Sequence, residues 1–124
     1  MYFLSILCTL VVVVIHFYIF YLEVPAYGTD KFRQVFHTLP ENDAALKPVF
    51  NNLGIYNLAL AMILWLGIWV RAVSDGVGRG MLMSGLLVVA IAGVYLWKTA
   101  PDKRRAAYIQ GVPACLALVC VLFS

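Results

Sequence analysis

His16 and Glu23 have the greatest capacity for chemistry in this sequence of 124 residues. An imidazole exchanges a proton near neutral pH. A carboxyl group in the same pocket can set its tautomer, hold a cation or act as a base. The two are seven positions apart. On an α-helix that leaves them about 20° apart around the axis and about 10 Å apart along it. They cannot touch, but they can line one cavity. Five further residues could bind a polar group by hydrogen bonding: Asn52, Tyr56, Asn57, Tyr95 and Gln110. Asn52 and Tyr56 share one helix face by their i, i+4 spacing. His16 and Glu23 are the candidate acid–base residues, and all seven are candidate substrate-binding residues.

The elements that must carry these groups follow from where charge is missing. Hydrophobic residues make up 64% of the chain and charged residues 12%, against about 25% charged in a soluble domain. No Asp, Glu, Lys or Arg occurs in 1–22, 51–70, 80–97 or 106–124. Such runs of 18–22 residues cover roughly 27–33 Å as helix, which matches a hydrocarbon slab of about 30 Å. Barrel strands would be shorter and would alternate in polarity. The reading is an all-α membrane protein: a single-domain four-transmembrane-helix bundle over 1–124, with helices near 2–22, 50–70, 80–97 and 106–123. The first run lacks the basic start of a signal peptide and is read as a retained helix. An ordinary soluble domain and a disordered chain are excluded. A net charge of +3, scattered along the chain, also argues against a nucleic-acid partner.

Four spans put both termini on one side. The connections 23–50 and 98–105 hold seven basic residues on one face, against two (Arg71 and Arg79) on the other. The positive-inside rule then predicts an inner-membrane protein with both termini outside. Tyr95, Gln110, Tyr56 and His16 all fall roughly 4–11 Å from the cytoplasmic helix ends. The expectation is a polar cup in that half, beneath an apolar plug.

In the first connection, Phe32, Val35, Phe36 and Leu39 follow the i, i+3, i+4, i+7 spacing of a short interfacial helix. Pro40 would end it, and Pro48 would open the second span. The 71–79 segment, with Gly76 and Gly78, reads as a tight, flexible turn. Gly80 with Ser84, and Gly93 with Ala90, form small-residue faces for close helix packing. His37 reads as an exposed side chain. Cys8, Cys115 and Cys120 have no metal-site spacing and read as small apolar side chains. Cys8 and Cys120 fall at the same predicted depth, where a disulfide would be open to them. No metal is expected, and the residues name no cofactor.

Four segments resemble a family of small, mostly bacterial, four-helix integral membrane proteins with a domain of unknown function. They are His16–Glu23 (HFYIFYLE), Asn52–Asn57 (NLGIYN), Val88–Tyr95 (VVAIAGVY) and Gln110–Ala114 (QGVPA). They come in the family's order and span nearly the whole chain. Leu96 departs from the pattern, where a glycine would follow the tyrosine. The resemblance implies the four-helix architecture and no activity, and its signature residues coincide with the polar cup.

Three functions are open to such a cup. It could bind or transport a small amphipathic or cationic molecule, which for transport requires a homo-oligomer. It could be a membrane-embedded enzyme using His16 and Glu23 on a lipid-like substrate. Or its polar groups could be interhelical glue in an accessory subunit that packs against a partner membrane protein.

Overall fold

A computed structural model describes all residues, Met1–Ser124. Five helices make up the chain: α1 (Tyr2–Glu23), α2 (Asp30–Phe36), α3 (Asp43–Val73), α4 (Asp75–Thr99) and α5 (Arg104–Leu122). Short 3-10 turns at Pro40–Asn42 and Pro101–Lys103 lead into α3 and α5. The four long helices are each apolar enough to cross a membrane. In a bilayer no water can satisfy the main chain, so each span must close its own hydrogen bonds; accordingly 82 of the 96 backbone bonds lie within helices. The chain is a four-helix bundle with one short additional helix, as the charge-free runs predict.

The four long helices form a ring in which α1 packs on α3, α3 on α4, α4 on α5 and α5 on α1. Neighbours are antiparallel, as short connections require. Each helix turns a stripe of small or branched residues inward: Val12 and Val13 of α1, Ala61 and Leu64 of α3, Leu82, Leu86 and Val89 of α4, Ala114 and Ala117 of α5. Most other apolar side chains face outward. Lipid is as apolar as leucine, so association depends on close packing rather than on hydrophobic burial. Glycines supply it. Gly67 lies on Leu82, Gly85 on Leu64, and Gly93 directly on the backbone of Gly111.

Two boundaries differ from the sequence reading. α3 starts at Asp43 rather than near 50, so Pro48 lies within it rather than at its start. Its 31 residues measure about 46 Å, well beyond the slab. The overhang is held by aromatic packing. Phe32 of α2 is fully buried, with ring centroids 4.6 Å from Tyr27 and 4.9 Å from both Phe36 and Phe50. Arg33 pairs with Asp43 and also donates to the carbonyl of Gly28. α2 thus straps the first connection to the start of α3. Thr29 caps it through the Phe32 N–H, and His37 ends it in a left-handed conformation at φ 55°. The interfacial helix is present but stops at Phe36, leaving Leu39 exposed.

The second difference is the 71–79 segment. It is helical except at Ser74: α3 runs to Val73 and α4 begins at Asp75. Gly78 lies against the backbone of Arg71, with no room for a side chain. This approach packs the helical turns on either side of the break together. The segment is a tight corner built from helix ends, not a flexible loop.

Candidate functional site

The buried face of α1 repeats as Ser5, Thr9, Val12, His16 and Glu23. That register carries His16 into the bundle, where only 1% of its surface is exposed. Its Nδ1 lies 2.8 Å from the carbonyl oxygen of Val12, one turn earlier. A carbonyl only accepts, so Nδ1 must carry the proton. In the neutral ring Nε2 is then a bare acceptor. That atom is buried and has no partner.

Glu23 ends α1 and is 5% exposed. Asn57 of α3 donates through Nδ2 to its Oε2 at 3.2 Å, and shares the same amide group with the carbonyl of Leu53 at 3.0 Å. Gly54 permits the approach: a Cβ there would lie 3.0 Å from the Glu23 Cβ. No cation pairs with the carboxyl group; the molecule's ion pairs belong to Arg33, Arg71 and Arg79. One turn before Gly54, Asn51 Oδ1 is also buried without a partner. Two buried acceptors in this half, His16 Nε2 and Asn51 Oδ1, thus have no donor.

Of the seven candidate residues, His16, Glu23 and Asn57 turn inward. Gln110 is half-buried beside Gly111 and makes no side-chain hydrogen bond. Asn52, Tyr56 and Tyr95 are not brought to this cluster. Tyr56 is 69% and Tyr95 68% exposed, on the perimeter of the ring, and Asn52 is exposed too. Helical geometry explains the division. Asn57 lies three residues after buried Gly54 and four before buried Ala61. Its neighbour Tyr56 is rotated by about 100° and must face out. Tyr95 stands two residues past buried Gly93 and is turned away likewise.

A second polar cluster, at the terminal end, escapes the sequence reading. Arg71 is 3% exposed. Its Nε donates to Asp75 at 2.9 Å, and its two terminal nitrogens donate to the hydroxyls of Ser5 at 3.0 Å and Ser124 at 2.9 Å. The Tyr2 ring covers it at 4.6 Å. Arg79 also pairs with Asp75 and donates to the carbonyl of Leu122. Each of the three guanidinium nitrogens of Arg71 donates once, so this cluster ties α1, α3, α4 and the C-terminus together. Two signals point to it in the sequence: the i, i+4 pair Arg71–Asp75, and the spacing of Arg71 from Leu64 and Gly67 on the buried face. Cys8 and Cys120 are neighbouring free thiols, and Cys115 is exposed.

Outside the spans, the Tyr27 hydroxyl donates to the main-chain oxygen of Asp43 at 2.7 Å. Desolvation, and then the Asp43 charge, hold this phenol protonated beyond the usual tyrosine range, with Arg33 opposing.

Four apolar spans enclosing a polar cluster and a buried arginine network define a small polytopic helical membrane protein. The chain belongs to the family described as Protein of unknown function (DUF1304), whose profile matches residues 10–122. No curated protein and no solved structure matches it.

Proposed function

We propose that this is a multi-pass inner-membrane protein that binds a small amphipathic molecule, bearing an amine or hydroxyl head group, at His16, Glu23 and Asn57. The observation that carries the reading is the buried, unpartnered Nε2 of His16. An orphaned acceptor in a low-dielectric interior is costly, and a ligand N–H or O–H would satisfy it. Glu23, without a cation of its own, favours a positively charged head group over a neutral one. Hydrocarbon around the cluster suits the molecule's apolar part. Any transport would require several copies, because one ring of four helices leaves little room for a path along its axis.

The test uses phenethylamine and octylamine as probes, with the protein in mild detergent. A molecule that binds only the folded state raises thermal stability by mass action, about 2.7 kcal/mol at a hundred times its Kd. Both amines should raise the Tm of the wild type and leave that of Glu23→Gln unchanged. His16→Phe should weaken the response. If the wild type shows no shift with either amine, or if Glu23→Gln shifts equally, the reading fails. An interhelical-glue role predicts a lower Tm in both variants with no amine dependence.

A further inference from the structure

A second site lies on the opposite side of the bundle from α1 and α3, where α4 and α5 meet. Gly93 lies on the backbone of Gly111, and this close approach leaves an outward-facing groove of about 380 Å³. Its volume falls within the roughly 300–1,000 Å³ of small-molecule sites. Gly93, Ala107 and Gly111 form the floor, and Val94, Val112 and Leu116 rise beside it. Trp97 and Tyr108 stand at one end, joined by an indole N–H to hydroxyl bond of 3.0 Å.

That end meets the most basic segment of the chain. Lys98, Lys103, Arg104 and Arg105 lie within eight residues, with Asp102 as the lone acid. Arg104 is held over the Trp97 ring at 4.8 Å, at the rim of the groove. The other three arginines all have carboxylate partners, but Arg104 and Arg105 have none, and neither do Lys98 and Lys103. α5 also begins here, and no side chain caps its first turn. Free N–H groups at a helix start favour an anion. Uncompensated cations at the mouth of an apolar groove, at a membrane face, match an acyl chain with an anionic head.

We propose that the α4–α5 groove binds an anionic phospholipid. One acyl chain lies along Gly93 and Gly111, and the phosphodiester sits against Arg104, Arg105 and Lys98. Arg suits this role because its planar fork matches two phosphate oxygens at once. The site is independent of His16 and Glu23.

The test is native mass spectrometry of the detergent-solubilised protein titrated with phosphatidylglycerol or phosphatidylcholine. Phosphatidylglycerol should be retained about tenfold more tightly. Replacing Lys98, Arg104 and Arg105 together by Gln should lower its retention about tenfold, to that of phosphatidylcholine. Cys115→Trp fills the groove from an exposed position and should abolish the preference without unfolding, as circular dichroism would confirm. Glycerol phosphate, which has the head group but no chains, should bind far more weakly. Equal retention of both lipids would overturn the proposal, as would glycerol phosphate competing at equal concentration. So would a Cys115→Trp variant that keeps its lipid preference but loses a dimer, because the groove would then be a contact between two copies.

Discussion

Arg71 carries a permanent charge with only 1% of its side chain exposed, while its partner Asp75 is 58% exposed. The two substitutions that break this pair should therefore differ in cost. Removing Arg71 leaves groups with other options. Ser5 still donates to the Tyr2 carbonyl, Ser124 to that of Val121, and Asp75 keeps Arg79. Removing Asp75 leaves a buried guanidinium without a counter-ion, and an uncompensated buried charge costs more than an absent pair. Asp75→Ala is expected to lower the detergent Tm more than Arg71→Met. The loss should fall short of that for a fully buried pair, because water screens Asp75. Thermal denaturation of the two variants measures the order. Equal losses, or a larger loss for Arg71→Met, would show that the cation is stabilised chiefly by Tyr2 and the hydroxyls.

Between elements, the contact of α4 with α5 is asymmetric in a way that substitution can read. A Cβ on Gly93 would lie 2.8 Å from the Gly111 Cα, a backbone atom that cannot move aside alone. A Cβ on Gly111 would meet the Gly93 Cα at 3.5 Å, an ordinary contact. Gly93→Ala should cost about 1–3 kcal/mol by overpacking, whereas Gly111→Ala should be nearly neutral. Denaturation of both variants in the same detergent decides it, and a neutral Gly93→Ala would mean that the helices separate at no penalty. The sequence identifies both glycines as small residues but cannot say which Cβ would clash. That depends on the rotation of one helix against the other. The spans themselves were legible because a charge within hydrocarbon is costly and so marks their limits. Their ends were not. Asp43–Phe50 carries charges yet is helical, because aromatic packing on Phe32 and the Arg33–Asp43 pair hold it outside the slab. Of the candidate site, comparing depths set His16 in one layer with Tyr56, Tyr95 and Gln110, whereas the structure joins Glu23 to Asn57 and buries His16 on the same face of α1. Depth ignores rotation, and so it wrongly gathered Tyr56 and Tyr95 with His16.

At the scale of the whole molecule, the two ends of the bundle differ in how their charges are satisfied. At the terminal end, both cations, Arg71 and Arg79, pair with Asp75. At the other end, Arg33 is paired, but the α4–α5 connection keeps four cations without carboxylate partners. For orientation the basic count is seven against two, because acids contribute little to it. The bias that orients a bundle is set by Lys and Arg in short loops near the span ends, and here seven of the nine lie on one face. Both termini should therefore be extracytoplasmic. A C-terminal alkaline phosphatase fusion should be active and a C-terminal green fluorescent protein fusion dark, with the pattern reversed for fusions truncated after Pro101. Fluorescence from the full-length fusion would invert the orientation and place the acceptor cluster of His16 and Glu23 in the outer half. Replacing Lys98, Lys103, Arg104 and Arg105 together by Gln removes four of those seven basic residues. It should yield a mixed population in the same assay, because three basic residues (Lys31, Arg33 and Lys47) would then face two (Arg71 and Arg79).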